Sequence, residues 1–142
     1  SWFEAVAFSR WLSHKTSLEI GLATGQQWQK AAQGDDSRQY PWGNRFDKTR
    51  CNMRDTKKRR TTSVSDHPKG VSPYGVMDMS GNVWEWCADM RKAEDDAKTT
   101  LEGEIRGGSF FSPLKKLRVN NYMYLKLTDR YPTIGFRLMS KI

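Results

Sequence analysis

Cysteine is scarce in this sequence, which contains Cys51 and Cys87 only. Two cysteines allow at most one disulfide, and these two form neither a CxxC pair nor the spacing of a metal finger. Two free or buried thiols are the simpler interpretation, and a single disulfide is the alternative. The sequence therefore excludes a disulfide-rich scaffold and a zinc module built on cysteines.

Long hydrophobic runs are absent as well. No apolar stretch approaches the ~18 residues that a membrane-spanning helix needs, and the first residues form no basic and then apolar export signal. A length of 142 residues predicts one domain. Because residue 1 is Ser, we expect a fragment or a processed product, and the bacterial envelope or periplasm and the cytoplasm are both open as locations.

Hydrophobic residues make up only 37% of the chain, yet aromatic residues reach 12% and six residues are Trp. A core with so few aliphatic side chains must be built around a small number of large rings. This composition favours a loop-rich fold over a Leu-rich helical bundle.

Acidic residues are nearly missing from the last quarter of the chain. Residues 106–142 contain eight basic residues and one acid, Asp129, a net charge of +7 in a chain whose total is +8. Such a segment predicts an acidic partner surface. A second basic run, residues 57–60, has no aromatic residue among its cations, so a solvated loop is the better interpretation and no nucleic-acid partner is expected.

Two short helices are predicted near the start of the chain. SWFEAVAFSRWL begins with the capping box of Ser1 and Glu4. Its apolar residues form a broad face, and its Trp residues are expected to lie in the core. TGQQWQKAAQG repeats this pattern with Thr24 and Gln27, and Gly34 is a suitable stop. From residue 35 to residue 81, turn motifs such as YPWGN and DHPKG predict a long irregular segment.

Short strands are predicted for VWEWC, EIRGGSFF, LRVNNYMYL and TIGFRLM, with residues 91–104 as a surface loop between them. In LRVNNYMYL the residues alternate between two faces. One face would be apolar and the other would be basic and rich in tyrosine. The apolar face would hold Leu117, Val119, Met123 and Leu125, and the polar face Arg118, Asn120, Tyr122, Tyr124 and Lys126.

Six blocks, SWFEAVAFSRWL, LATGQQWQKAAQG, YPWGN, YGVMDMSGNVWEW, IRGGSF and IGFRL, occur in the order in which they occur in the formylglycine-generating enzyme, or sulfatase-modifying factor, family. The sequence resembles this family along essentially its whole length. The resemblance implies an α+β fold, a variant of the C-type lectin fold that is low in regular secondary structure, with two short helices and short antiparallel strands. It also implies that residues 1–142 are one domain, of which a preceding N-terminal segment is missing.

The resemblance further implies structural calcium. In SGNVWEW, the amide of Asn82, the carbonyl of Val83 and the carboxylate of Glu85 are hard oxygen ligands of the kind that calcium takes. Asn52 resembles a ligand of the second calcium site of the family. The alternative is that Asn82 only serves the turn after Gly81 and that Glu85 is an ordinary surface acid.

In catalytic members, the segment after Gly-Gly-Ser carries two cysteines, five residues apart, that bind copper. By this resemblance, Ser112 and Leu117 occupy the positions of those two cysteines in this sequence. Because copper(I) prefers thiolates, no copper is expected. Relatives that use iron take their histidines from another domain, and His14 and His67 lie far apart in this sequence, so no iron site is expected within the chain.

The favoured function is therefore a non-catalytic binding or accessory module that recognises a protein or another acidic ligand through residues 110–133, with an ordinary exposed strand as the alternative. Its tyrosines and small polar residues are typical of adaptable recognition surfaces. Their types also fit the diversified positions of retroelement variable proteins, which resemble this fold. The other function considered is an oxidoreductase of the formylglycine-generating or iron-dependent sulfoxide synthase type that acts on a thiol. The candidate ligand-binding residues are Ser112, Arg118, Asn120, Tyr122, Tyr124, Lys126, Asp129 and Tyr131.

Overall fold

The structure of the protein, a computed structural model, describes residues 1–95 and 98–141. Two α-helices, α1 (Trp2–Thr16) and α2 (Gly25–Gln33), lie in the first quarter of the chain. The strands are β1 (Glu19–Leu22), β2 (Trp84–Asp95), β3 (Lys98–Arg106), β4 (Tyr122–Lys126), β5 (Ile134–Phe136) and β6 (Leu138–Lys141). Between α2 and β2 the described backbone contains only short 3-10 turns, as the density of turn motifs predicts.

The strands form two sheets. One has the order β4-β3-β2-β5, and the other pairs β1 with β6. The pairs β1–β6, β2–β3 and β3–β4 are antiparallel, whereas β5 lies parallel to β2. The α+β architecture is thus the one predicted, with one parallel pairing that the sequence pattern did not indicate.

The helix α2 follows its sequence signals closely. The backbone N–H of Gln27 donates to Oγ1 of Thr24 at 3.2 Å, and the Gln27 Oε1 accepts from the Thr24 N–H at 2.9 Å. The helix ends at Gly34, whose N–H donates to the carbonyl of Lys30. Its inner face buries Trp28 and Ala32 almost completely.

The helix α1 is less buried than its sequence predicts. Trp2 and Val6 pack against the sheet, and the Trp2 Nε1 donates to the carbonyl of Cys87 at 2.8 Å. Trp11 is 53% exposed, so the prediction that the Trp residues of this helix lie in the core is wrong for Trp11, and Phe3 and Phe8 are about half exposed as well. The ring of Phe8 contacts the rings of Trp11 and of Phe136 on β5, with centroids 5.5 and 5.7 Å apart, so these rings pack on one another at the surface.

The predicted loop at residues 91–104 is also wrong, because its described part continues β2 and β3 as a long hairpin. Arg91 pairs with Glu102 across the two strands, and the Arg91 Nε donates to Oε2 of Glu102 at 2.9 Å. Both ends of the stretch are charged, and of its described side chains Arg91, Lys92, Thr99 and Leu101 are exposed. The sequence therefore lacks the alternation by which a half-buried strand is recognised.

The strand predicted over LRVNNYMYL is shorter than expected. Only Tyr122–Lys126 is a strand, and a turn precedes it in which the Asn121 N–H donates to the carbonyl of Arg118. Leu117 and Val119 are buried in two different clusters rather than on one strand face. Met123 and Leu125 do pack together beneath the sheet, as the alternation predicts.

Three clusters form the core. The first surrounds Trp28 and Met79, the second lies between α1 and the larger sheet around Trp86 and Ile105, and the third joins the long loop to Leu117. In the part of the chain that the structure describes, no helix is both long and apolar enough to cross a membrane.

Candidate functional site

The strand β4 presents the tyrosine row that the sequence predicts. The rings of Tyr122 and Tyr124 meet edge to face, with centroids 5.8 Å apart, and Tyr122 is 50% exposed. Because successive side chains of a strand point to opposite faces, Lys126 shares this face while Met123 and Leu125 lie beneath it. We call Tyr122, Tyr124 and Lys126 the tyrosine face.

Two arginines from neighbouring strands support the tyrosine face. The guanidinium carbon of Arg91 lies 3.9 Å from the ring centroid of Tyr124, and that of Arg106 lies 5.1 Å from the ring centroid of Tyr122. Both are cation–π contacts, which hold planar groups against each other. The two guanidinium groups therefore help to hold the rings in place, and Tyr122 remains exposed while Tyr124 is half-buried.

An acidic residue completes this arrangement. Glu104 forms a buried ion pair with Arg106, and its Oε2 accepts from the hydroxyl of Tyr124 at 3.3 Å. Burial, followed by the neighbouring Glu104 carboxylate, raises the pKa of Tyr124 above its ordinary value. The Arg106 Nη1 also donates to Oε1 of Gln29 on α2 at 3.0 Å. The tyrosine face is thus part of a network that reaches from β4 to α2.

The other predicted ligand residues do not all join the tyrosine face. Arg118 and Asn120 are exposed in the turn before β4, whereas Asp129 and Tyr131 follow the strand. A five-residue strand separates its two ends by about 13 to 17 Å, so the two groups lie at opposite ends of the tyrosine face. Ser112 is buried and therefore is not part of this surface.

The two positions that match the catalytic cysteines are inside the protein. The Ser112 Oγ accepts from the N–H of Ser109 at 2.9 Å, which closes a tight turn after the two glycines. Leu117 has no exposed surface and packs with Tyr40, Cys51 and Met53. A hydroxyl engaged in a turn and an alkyl group in a core cluster cannot supply the thiolates of a copper(I) site.

The chain's own thiols are also buried, and both are free. Desolvation raises the pKa of the Cys51 thiol to about 12, and it raises the pKa of the Cys87 thiol still further above its ordinary value. Since the thiolate is the nucleophile and the metal ligand, both cysteines fit the scaffold role predicted for them.

Glu85, predicted as a calcium ligand, is engaged by other side chains. Arg137 donates from Nη2 to Oε1 at 2.7 Å and from Nε to Oε2 at 2.8 Å, and the Trp28 Nε1 donates to Oε2 at 2.6 Å. Both carboxylate oxygens are thus occupied by a cation and an indole N–H. A calcium ion at this carboxylate does not fit unless Arg137 moves away.

Asn52 and Asn82, by contrast, lie next to each other. The Asn82 Oδ1 accepts from the Thr62 N–H at 3.0 Å and from the Asn52 Nδ2 at 3.3 Å. The Asn52 Oδ1 accepts from the hydroxyl of Thr56, and the Asn52 carbonyl accepts from the N–H of Asn82. The two amides tie the long loop to the start of β2. Val83 follows directly and is half-buried, so its carbonyl lies beside this junction.

Asp78 was not predicted as a site residue. It is an acid that forms a hydrogen bond with Asn82 at this junction. Its Oδ2 accepts from the Asn82 Nδ2 at 3.0 Å, whereas its Oδ1 is buried and has no partner among the described residues. Burial raises the pKa of Asp78 above its ordinary value. Its φ of 55° places it in the left-handed region, which favours a functional or strained turn. The only signal in the sequence is an acid four residues before Asn82.

Comparison with known proteins agrees with the fold and with the sequence blocks. Residues 1–142 match the sulfatase-modifying factor enzyme 1-like domain family. The chain belongs to this family. Members of the family are known to bind calcium, whereas this chain does not retain the cysteine pair of the catalytic members.

Relatives include proteins named as inactive and proteins named as enzymes. The chain is 34% identical to the inactive C-alpha-formylglycine-generating enzyme 2 of Mus musculus, over 99% of this chain and 47% of the relative. It is also 34% identical to the formylglycine-generating enzyme of Thermomonospora curvata, over 66% of this chain and 33% of the relative. The chain therefore spans less than half of the length of these two relatives.

Solved structures share the fold at low sequence identity. Treponema denticola variable protein 1 superposes with a TM-score of 0.84 and 21% identity, covering 96% of this chain and 68% of that protein. PvdO from Pseudomonas aeruginosa superposes with a TM-score of 0.84 and 24% identity, covering 99% of this chain and 60% of that protein. At these identities, the similarity establishes the architecture of the sulfatase-modifying factor fold and nothing about ligands.

Proposed function

We propose that this domain is a non-catalytic recognition module of the sulfatase-modifying factor family, which binds an acidic protein surface through the tyrosine face. One observation carries the proposal: Ser112 and Leu117 are buried, while Tyr122 and Lys126 on the same segment of the chain remain exposed. A segment that holds the catalytic thiols in enzyme members thus offers an outward aromatic and basic surface here. The relative named as inactive is consistent with this proposal.

The chemistry of the tyrosine face suits recognition of an acidic partner. Tyrosine provides a large contact area at a low cost in side-chain entropy, and the bracing arginines reduce that cost further. Lys126 and Arg118 form no ion pair with any residue in the described ranges, so both cations are free to meet carboxylates. The +7 charge of residues 106–142 would attract such a partner over a longer distance.

Removal of the exposed part of the tyrosine face is expected to abolish partner capture. The variant Tyr122→Ala/Lys126→Ala leaves the bond between Tyr124 and Glu104 in place, so the sheet should keep its fold. The measurement is affinity capture from a lysate of the source cells, with calcium present and bound proteins identified by mass spectrometry. We expect a specific protein to bind the wild type and to be lost from the variant.

The matched control is Tyr74→Ala/Lys69→Ala, which removes the same residue types from the long loop. Tyr74 is 52% exposed and lies outside the larger sheet. Retention by the control and loss from the test variant would support the proposal. Equal retention by all three proteins, or capture that does not weaken when the ionic strength is raised, would contradict it, since an acidic partner must respond to salt.

A finer form of the proposal is that the tyrosine face is diversified by a retroelement. The exposed positions Asn120, Tyr122 and Tyr131 and the half-buried Tyr124 are of types that replacement of adenines in adenine-rich codons can produce. The expected result is that sibling clones of the gene differ at these codons and are identical at the buried Leu117 and Val119. Sequencing of independent isolates measures this directly, and identical codons in all isolates would contradict this form of the proposal.

We also propose that the domain binds a structural calcium ion, held by Asp78 rather than by Glu85. The Oδ1 of Asp78 is a buried carboxylate oxygen without a partner in the described structure, and its Oδ2 accepts from Asn82, so the carboxylate lies at the Asn52–Asn82 junction. Calcium takes carboxylate and carbonyl oxygens. The bonds that Glu85 makes to Arg137 leave it out of this site.

The test is thermal unfolding of Asp78→Asn with and without calcium. Without the ion, burial raises the pKa of Asp78, so its ionisation costs stability progressively as the pH rises from the ordinary pKa of an aspartate to the raised one, and the full cost is present above the raised pKa. At pH 7 without calcium, the variant should therefore be as stable as the wild type or more stable. Calcium should raise the Tm of the wild type and leave that of the variant unchanged. The control is Glu85→Gln, in which calcium should still raise the Tm. If the Glu85→Gln variant loses the calcium response and Asp78→Asn keeps it, Glu85 and not Asp78 is the calcium ligand.

A further inference from the structure

A cleft away from the tyrosine face has the chemistry of a ligand site. It has a volume of about 700 Å³, within the range of small-molecule sites. The ring of Trp42 and the ring of Phe46 provide its apolar part, and Arg45, Lys48 and Arg50 provide cations. We call it the Trp42 cleft. Asn44 and Asp47 are its other lining residues.

The aromatic side of the Trp42 cleft is held in place by the core. Trp42 stacks on Tyr40, with ring centroids 5.4 Å apart and an interplanar angle of 10°, and Phe46 also contacts Tyr40 at 5.4 Å. Tyr40 is 3% exposed and belongs to the cluster that contains Leu117. The Trp42 Nε1 donates to the carbonyl of Arg45 at 3.1 Å. These contacts fix the rings before any ligand arrives, which lowers the entropic cost of binding.

The charge of the Trp42 cleft is positive and only partly compensated. Asp47 is its acid, and hydrogen bonds from Thr49, then from Arg50, hold the pKa of Asp47 at about 2. Arg50 is therefore paired and also donates to the carbonyl of Lys69. Arg45 and Lys48 form no ion pair with residues in the described ranges, and both are exposed. Two cations at the rim are thus available to an anion.

The surroundings strengthen this positive potential. Residues 38–60 contain nine basic and two acidic residues. The Arg54 N–H donates to the carbonyl of Ser112, so this basic segment is joined to the start of the basic C-terminal segment. Clustered charge of one sign attracts ligands of the opposite sign and raises their local concentration.

We propose that the Trp42 cleft binds a small planar aromatic anion, whose ring lies against Trp42 and Phe46 while its phosphate or carboxylate group meets Arg45 and Lys48. The ligand's ring would stack against the fixed rings, and its anionic group would make a charge-assisted contact at their edge. The cleft therefore favours a ligand that carries both groups over a ligand that carries only one. This site is built from the long loop and not from β4. It does not depend on the recognition function proposed for the tyrosine face.

Four probes test the proposal by isothermal titration calorimetry on the whole domain. They are 1-naphthyl phosphate, 1-naphthoate, 1-naphthol and inorganic phosphate. We expect at least one of the two aromatic anions to bind at least about tenfold more tightly than both naphthol and phosphate, a difference of about 1.4 kcal/mol. The tighter of the two aromatic anions identifies the anionic group. Equal binding of naphthol, or no heat with either aromatic anion at millimolar concentration, would overturn the proposal.

A pair of variants with equal charge loss locates the site. Arg45→Ala/Lys48→Ala should weaken binding of the aromatic anion by at least about tenfold, because it removes both rim cations. Lys115→Ala/Lys116→Ala removes the same charge outside the cleft and should weaken binding by no more than about threefold through the general potential. Equal losses in the two variants would overturn the site and leave only a diffuse positive surface. Far-UV circular dichroism and the Tm of each variant show that both remain folded.

Discussion

Replacement of Arg137 by Met is expected to lower the free energy of unfolding by about 3–5 kcal/mol, because it would leave the carboxylate of Glu85 charged and unpaired inside the protein. The side chain of Glu85 is 7% exposed, and two of its three hydrogen bonds come from Arg137. Urea unfolding at neutral pH measures the loss. The N–H of Trp28 alone cannot compensate a full charge.

Two companion variants separate this effect from lost packing. Glu85→Gln should cost less than Arg137→Met, since the side chain of Arg137 is 28% exposed and can still meet water. The double variant Glu85→Gln/Arg137→Met should also cost less than Arg137→Met alone, because no buried charge remains. A double variant that is less stable than Arg137→Met would show that packing, and not the unpaired carboxylate, determines the loss.

Replacement of Gly81 by Ala is expected to destabilise the domain by about 2–5 kcal/mol. Gly81 has a φ of +87°, which costs free energy for any residue with a Cβ. A Cβ there would also lie 2.3 Å from the carbonyl oxygen of Asn52, which is backbone and cannot rotate away. The same carbonyl accepts from the N–H of Asn82 at 2.8 Å, so the junction beside Asp78 would be displaced too.

Gly75→Ala is the matched control. Gly75 has a φ of +76°, and nothing lies within 4 Å of its ideal Cβ. The control should lose only the cost of the left-handed backbone, about 1–2 kcal/mol. The difference between the two free energies of unfolding then measures the clash with Asn52. Equal losses would mean that the loop relaxes around the new methyl group and that the Asn52–Asn82 junction is soft.

The sequence predicted correctly the secondary-structure elements that are determined by residues close to one another in the chain. Thr24 and Gln27 are three residues apart and cap α2 through each other, so no distant group is needed to begin that helix. The alternation through Tyr122, Met123 and Tyr124 likewise assigns the two faces of β4. The prediction that Ser112 and Leu117 hold no copper rests on residue type alone, since neither side chain can act as a copper(I) ligand whatever its position.

Predictions failed where the deciding partner lies far away in the sequence. Trp11 fits a helical apolar face, but its side chain is 53% exposed and packs on Phe8 of the same helix. Glu85 lies 52 residues from Arg137 and 57 residues from Trp28, so its pattern within SGNVWEW gave no sign of its partners. Leu117 fits a strand, but the long loop offers it a cluster with Tyr40 and Met53.

The sequence by itself determined the family, the two helices, the tyrosine row and the loss of the catalytic thiols, because these depend on residue identity and on contacts between near neighbours. Only the tertiary structure decided which charges are compensated. It pairs Glu85 with Arg137, leaves an oxygen of Asp78 without a partner, and gathers Arg45 and Lys48 beside Trp42. The physical reason is that the energy of a charge depends on its burial and on the groups within a few ångströms, which the path of the chain sets.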